Sequence, residues 1–150
     1  MESDNFPEVL ELIHREDSRF DKNAYHFVRQ ALDYTLNEHA GGKDRGVRRH
    51  VTGMELLDGI REYALDRFGP LAMTVFSEWN IRRCEDFGEI VFQLVEYGVL
   101  GKTENDRKSD FAGGYDFEDA FLMPFLPKKK RRTLQREKGS ANKEQGNHAN

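Results

Sequence analysis

The sequence predicts a mainly α-helical fold: a helical domain with a winged-helix-like three-helix unit and a small β-hairpin at about residues 50–117. Three observations carry this expectation. Apolar residues recur at helical spacing in three successive segments between Val51 and Tyr97, each with start and stop signals. In the last segment Phe87, Ile90, Val91, Leu94 and Val95 match the amphipathic-helix pattern without a miss. A short apolar run, a charged turn and a return segment containing Gly113-Gly114 then follow, which reads as a hairpin.

Each element has a local reason. Asn5-Phe6-Pro7-Glu8 opens a first helix to about His14, because proline is tolerated in the first turn and Glu8 complements the helix dipole. Asp21 is a good N-cap for a second helix, with Phe20 and Tyr25 placed as a hydrophobic staple. Val28, Ala31, Leu32, Thr35 and Leu36 continue it, Phe27 and Tyr34 form a second apolar stripe, and Gly41-Gly42 ends it before a basic loop to Arg49. Thr52 and Glu55 form a capping box, and Val51 with Leu56 supplies a staple at the same helix entrance. That helix stops at Phe68-Gly69-Pro70, and Leu71, Val75 and Trp79 mark the next. The third helix of the unit runs from about Glu85 to Tyr97, with Gly88 inside it as the mark of a close approach by another helix, as at Gly59. Val99 to Thr103 and Phe111 to Phe117 are the two predicted strands around a polar turn at Glu104–Asp110. Phe117 to Leu126 adds an apolar clasp in which Pro124 breaks any helix.

The chain has 150 residues, enough to bury a core without metals or disulfides, and its one cysteine, Cys84, excludes an internal disulfide framework. No apolar run approaches the ~20 residues of a membrane span, and Met1-Glu2-Ser3-Asp4-Asn5 has no secretory pattern, so the expectation is a cytoplasmic protein. The net charge of −4 hides a split. Residues 128–150 hold eight Lys or Arg against two Glu, a balance of +6 that leaves −10 on residues 1–127. The expected organisation is one domain over 1–127 and a disordered basic tail over 128–150.

Helix, helix, helix and hairpin is the order of a winged-helix domain, and Leu94-Val95-Glu96-Tyr97-Gly98-Val99-Leu100 resembles the end of such a domain's third helix entering its wing. His50-Val51-Thr52-Gly53, Phe68-Gly69-Pro70-Leu71-Ala72, Glu85-Asp86-Phe87-Gly88-Glu89-Ile90-Val91-Phe92, Lys102-Thr103, Gly114-Tyr115-Asp116-Phe117 and Pro124-Phe125 together resemble a small family of uncharacterised bacterial proteins, largely confined to the planctomycete–verrucomicrobial group. The resemblance covers residues 25–127 and implies one domain ending near Pro127. Cys84 and Asn80 depart from the family pattern, standing where it has a small hydroxyl residue and a glycine. It implies no activity, and hence no site residue to transfer.

In a DNA-reading winged helix the third helix enters the major groove. Here that helix carries Glu85, Asp86, Glu89 and Glu96 and no Lys or Arg, so it would repel a polyanion. Nucleic-acid candidates are therefore confined to Lys128, Lys129, Lys130, Arg131 and Arg132 of the tail and to Arg107 and Lys108 in the hairpin, a weak non-specific contact at most. Without an aromatic beyond Phe125, the tail offers no stacking platform. Cys84 at a helix N-terminus has Glu85 and Asp86 beside it and no nominated base. His14, His26, His39 and His50 lack metal-ligand spacing. No catalytic, cofactor or metal residue is assigned. The partner-binding candidates are Phe92, Glu89 and Glu96 on the third helix and Phe27 and Tyr34 on the second helix's extra stripe, which would face a protein partner or a second copy of the chain. The expected function is a non-catalytic protein-interaction or regulatory module; the alternative is a nucleic-acid-associated protein that uses the basic tail and the hairpin.

Overall fold

A computed structural model describes residues 5–38, 51–101 and 108–127. The described chain is mainly helical: α1 (Phe6–Glu16), α2 (Lys22–Glu38), α3 (Gly53–Phe68), α4 (Ala72–Glu78) and α5 (Cys84–Glu96), with short 3-10 and π turns at the connections and after α5. The Gly41-Gly42 stop, the basic loop to Arg49, the tip of the expected hairpin at 102–107 and the tail at 128–150 lie outside the described residues.

The helix starts follow their local chemistry. Asp21 Oδ1 accepts the Asn23 N–H at 2.8 Å and so caps α2. At α3 both halves of the capping box form: Glu55 N–H donates to Thr52 Oγ1 at 3.1 Å, and Thr52 N–H donates to Glu55 Oε1 at 2.9 Å. Gly69 closes α3 with φ 54°, and Pro70 starts the 3-10 turn into α4. At α5 the Asp86 carboxylate accepts the backbone N–H groups of Arg82 (2.8 Å) and Arg83 (3.3 Å), satisfying donors just ahead of the helix.

Among the described residues the predicted β-hairpin is not seen: neither Val99–Gly101 nor Phe111–Phe117 is a strand. The backbone donors of the first are used elsewhere. Val99 and Leu100 N–H both donate to the Leu94 carbonyl, at 2.8 and 3.2 Å, and Gly98 at φ 79° makes that wrap possible. The second predicted strand begins as a 3-10 turn, Lys108–Phe111, and ends in a π-helical turn, Glu118–Leu122. Alternation of side chains in this segment reflects a chain that dips repeatedly into the core, not a ladder. With the strands goes the wing of the expected winged-helix unit; the order α3, α4, α5 remains.

One apolar core joins all five helices and the last turns. Phe76 of α4 is its hub, with ring centroids 5.4 Å from Phe27, 5.3 Å from Phe87, 5.8 Å from Phe117 and 5.1 Å from Phe121. Such ring pairs contribute about 0.5–1.5 kcal/mol each beyond the area they bury. Of the apolar clasp predicted at Phe117–Leu126, Phe117, Phe121 and Met123 are buried, in helical turns, Leu122 and Leu126 are half-buried and Phe125 is exposed. α2 packs most extensively on α3, and the approach is set by Gly59. A β-carbon there would overlap Thr35 Oγ1 and lie 2.8 Å from Thr35 Cβ. Thr35 is fully buried and donates its hydroxyl to the Ala31 carbonyl at 2.7 Å, so it cannot turn away without losing its acceptor.

Gly59→Ala is expected to lower the unfolding free energy by about 1–3 kcal/mol through overpacking. Adding Thr35→Ala should recover part of that loss in urea denaturation, since it removes Oγ1 and Cγ2 and leaves Cβ. Full additivity of the two substitutions would contradict the contact.

Candidate functional site: the polar face of the fifth helix

α5 carries most of the residues singled out in the sequence, and the fold surrounds it. Phe87, Ile90 and Leu94 point into the core, each fully buried. Gly88, on another face, has its nearest neighbour in Phe111 and not in one of the long helices. The Phe111 ring of the 108–111 turn lies against it, and a β-carbon at Gly88 would fall 3.0 Å from Phe111 Cβ and Cγ. Gly53, at the start of α3, lines the other side: a β-carbon there would meet Phe111 Cε1 at 3.2 Å and Asp110 Cβ at 3.0 Å. Phe111 is 2% exposed in this slot between α3 and α5.

Beside the slot, Glu89 Oε1 receives two cations from distant parts of the chain. Arg19 Nη2 approaches it at 3.3 Å from the α1–α2 connection, and Lys108 Nζ at 3.4 Å from the 3-10 turn. Arg19 is itself clamped by Asp17: Nε donates to Oδ1 and Oδ2 at 3.0 Å, and Nη2 to Oδ2 at 2.7 Å. Gln93, one turn beyond Glu89, donates Nε2–H to Asp17 Oδ2 at 2.8 Å and accepts the Tyr25 hydroxyl at 2.5 Å. Asn80 extends the network by donating to the Arg19 carbonyl at 3.0 Å, from a left-handed backbone with φ 66°. The connection between α1 and α2 is thereby tied to α5 and to the α4–α5 turn.

The electrostatics follow from these bonds. The Arg19 guanidinium holds the Asp17 carboxyl below its usual range, and Asp17 in return raises Arg19. Burial raises the Tyr25 hydroxyl, with a further push from Asp17. None of these shifts moves a group toward neutrality, where a general acid or base would work. Cys84 is buried, donates Sγ–H to the Tyr115 carbonyl at 3.4 Å, and is pushed up to about 11 by burial, then by Glu85 and Asp116. It is a thiol at neutral pH, not a thiolate nucleophile. Tyr115 spans the same corner and donates its hydroxyl to the Leu57 carbonyl of α3 at 2.8 Å. Among the described residues no group of three or more His, Cys, Asp and Glu could hold a metal ion, and no helix is long and apolar enough to cross a membrane.

The partner-binding candidates separate. Phe27 is buried at 3% exposure, its ring 5.5 Å from Tyr63, 5.5 Å from Phe68 and 5.6 Å from Trp79, so it is core and not a partner contact. The second stripe on α2 is apolar because α3 and α4 cover it. Tyr34 is half-buried at the edge of that contact and donates its hydroxyl to Glu62 Oε1 at 3.0 Å. Glu89 is half-buried in ion pairs, Phe92 is half-buried against the core, and Glu96 is exposed. Of the nucleic-acid candidates, Lys108 pairs with Glu89, whereas Arg107 and residues 128–132 lie outside the described residues. Sequence reasoning missed the network of Asp17, Arg19, Tyr25 and Gln93, whose bonds to α5 span 68 to 76 residues and leave no local periodic signal. Neither a protein-family model nor a curated protein nor a solved structure matches the chain.

Because Asp17 is depressed in the folded chain, its stabilisation is present above its unfolded value, near 3.8, and is lost as pH falls through the lower folded value. Asp17→Asn should therefore destabilise the protein at about pH 6 and by less at about pH 3 in denaturant titrations; an equal effect at both would contradict the pairing. Cys84 should resist an aromatic disulfide reagent at about pH 8 and react fully once the chain is unfolded. Rapid labelling of the folded protein would show an accessible thiolate.

Proposed function

We propose that the chain is a non-catalytic protein-interaction or regulatory module whose partner face is the outer edge of α5. The observation that supports it is the stripe Glu85, Glu89, Phe92 and Glu96, spaced to fall on one side of the helix, with a half-buried phenylalanine inside a run of carboxylates. A partner segment that offers a base and an apolar side chain complements it. The order of α3, α4 and α5 is that of a winged-helix-like unit, used on this reading as a scaffold. Its third helix is unsuited to reading DNA, being acidic outside and covered by the α1–α2 connection and the 108–111 turn. The resemblance to uncharacterised bacterial proteins belongs to the same proposal and brings no activity with it.

The charge split, +6 on residues 128–150 against −10 on residues 1–127, favours one second reading: a nucleic-acid-associated protein that binds through the tail. The two readings separate in one set of measurements. With a photo-crosslinking side chain at Glu96 of the full-length chain in its own cells, the module predicts a discrete protein adduct, or a crosslinked second copy, that Phe92→Ala removes. The second reading predicts duplex binding that falls steeply with salt and disappears on deletion of 128–150. A chain that forms no adduct at Glu96 and stays monomeric would overturn the module.

A further inference from the structure

We infer that the corner formed by the 69–71 and 123–125 turns, together with the bases Lys128–Arg132 that follow it in the chain, is a docking surface for the anionic face of a lipid bilayer. The surface is separate from the edge of α5 and goes beyond the reading of the chain as a protein-interaction module.

The corner is built twice in the same way. Gly69-Pro70-Leu71 and Met123-Pro124-Phe125 are both 3-10 turns with proline in second place, and each presents its last side chain to solvent. Leu71 is 62% exposed and Phe125 43%. The 69–71 turn and α4 pack against the 118–122 turn, which runs directly into 123–125, so both proline turns stand at one corner of the fold. Half-buried apolar residues continue the surface: Val75, four residues after Leu71, and Leu122, three residues before Phe125. Exposed apolar side chains taken singly are ordinary. Here the chain leaves the corner as Lys128-Lys129-Lys130-Arg131-Arg132, and that adjacency points to the occupant.

Lys128 follows Phe125 by three residues, at most about 11 Å of extended chain, and Arg132 lies within about 25 Å of it. The apolar side chains and the five bases therefore reach one surface. A bilayer with anionic headgroups complements both at once: negative charge in the headgroup layer, and an acyl boundary that apolar side chains enter by about 5–10 Å. A nucleic-acid duplex answers the bases but offers no apolar layer to Leu71 and Phe125. Residues 1–127 carry −10, so the bases and not the body supply the attraction. Screening over about 8 Å at physiological salt limits the opposing repulsion to the charges nearest the contact. Stable attachment to a membrane takes two signals, and the corner joins an apolar one to a polybasic one.

The test uses the full-length chain in sedimentation with vesicles of equimolar phosphatidylglycerol and phosphatidylcholine, against vesicles of phosphatidylcholine alone. Binding is expected to the anionic vesicles only, and should weaken as salt is raised. Replacing all five of Lys128–Arg132 by glutamine should abolish it, and Leu71→Ser with Phe125→Ser should weaken it at least about tenfold at constant charge. Both of those side chains are exposed, so the double variant should keep the wild-type circular dichroism. A Phe125→Trp chain gives a second reading without truncation: its emission should shift to the blue on anionic vesicles, beyond any change that Trp79 shows in wild type. Absence of binding to the anionic vesicles overturns the site. Binding that the Leu71→Ser and Phe125→Ser pair leaves unchanged, or a Phe125→Trp emission that does not move, also overturns it, because the contact is then that of bases with any polyanion, a duplex included.

Discussion

The seating of Phe111 against Gly88 decides what kind of helix α5 is. With the ring in place, α5 has Phe87, Ile90 and Leu94 toward the core, Phe111 on a second side, and the Arg19 and Lys108 cations on Glu89 beside it. Burying a phenylalanine contributes about 1.5–3 kcal/mol, whereas an exposed ion pair such as Lys108–Glu89 contributes about 0–1 kcal/mol. The ring therefore fixes the position of the turn, and the ion pair orients it. A glycine inside a helix costs up to about 1 kcal/mol relative to alanine, so the recess at Gly88 is justified only by what fills it.

The same logic recurs at the other close approaches. Gly59 lets α2 and α3 meet over Thr35, and Gly114 lets the chain pass Leu57 Cδ1 and Cys84 Sγ, which a β-carbon would meet at 2.5 and 3.2 Å. Around Gly114 the buried thiol and the Tyr115 hydroxyl each find a backbone carbonyl, so the polar atoms in this corner are satisfied. The large rings of Phe76, Phe87, Phe117 and Phe121 then fill the volume between helices. Small residues set distances and aromatics fill the remainder. That division explains a core built from short elements such as α4, only seven residues long.

Helix existence was legible because its causes are local. Thr52 with Glu55, Asp21, and the Phe68-Gly69-Pro70 stop each act within a turn of the residue that carries them, and each does so in the structure. The hairpin was not legible correctly. A segment with phenylalanines at 111 and 117 around Gly113-Gly114 has the alternation of a strand, and only the tertiary recess at Gly53 and Gly88 reveals that Phe111 enters a slot. Gly88 signalled a close approach, but not by what. Phe27 was ambiguous for a related reason: a second apolar stripe is a surface patch or a second buried face depending on whether another helix covers it. The Asp17–Arg19–Glu89 network unites residues about seventy positions apart, beyond any periodic reading.

For function, the consequence is that the acidity of α5 is partly spent inside the chain. Glu89 and Asp86 have intramolecular tasks, while Glu96 is exposed beside the half-buried Phe92. The central claim, that Phe111 in the Gly88 recess organises α5, is tested most directly by a double-mutant cycle on Gly88→Ala and Phe111→Ala, with stability read by urea denaturation. The account predicts that Gly88→Ala is destabilising in the wild-type background and less so once Phe111 is alanine, which removes Cγ and Cδ1 but leaves Cβ 3.0 Å from the new methyl, a coupling of about 1 kcal/mol or more. Additive effects would mean that the ring and the recess do not depend on each other, and would contradict it.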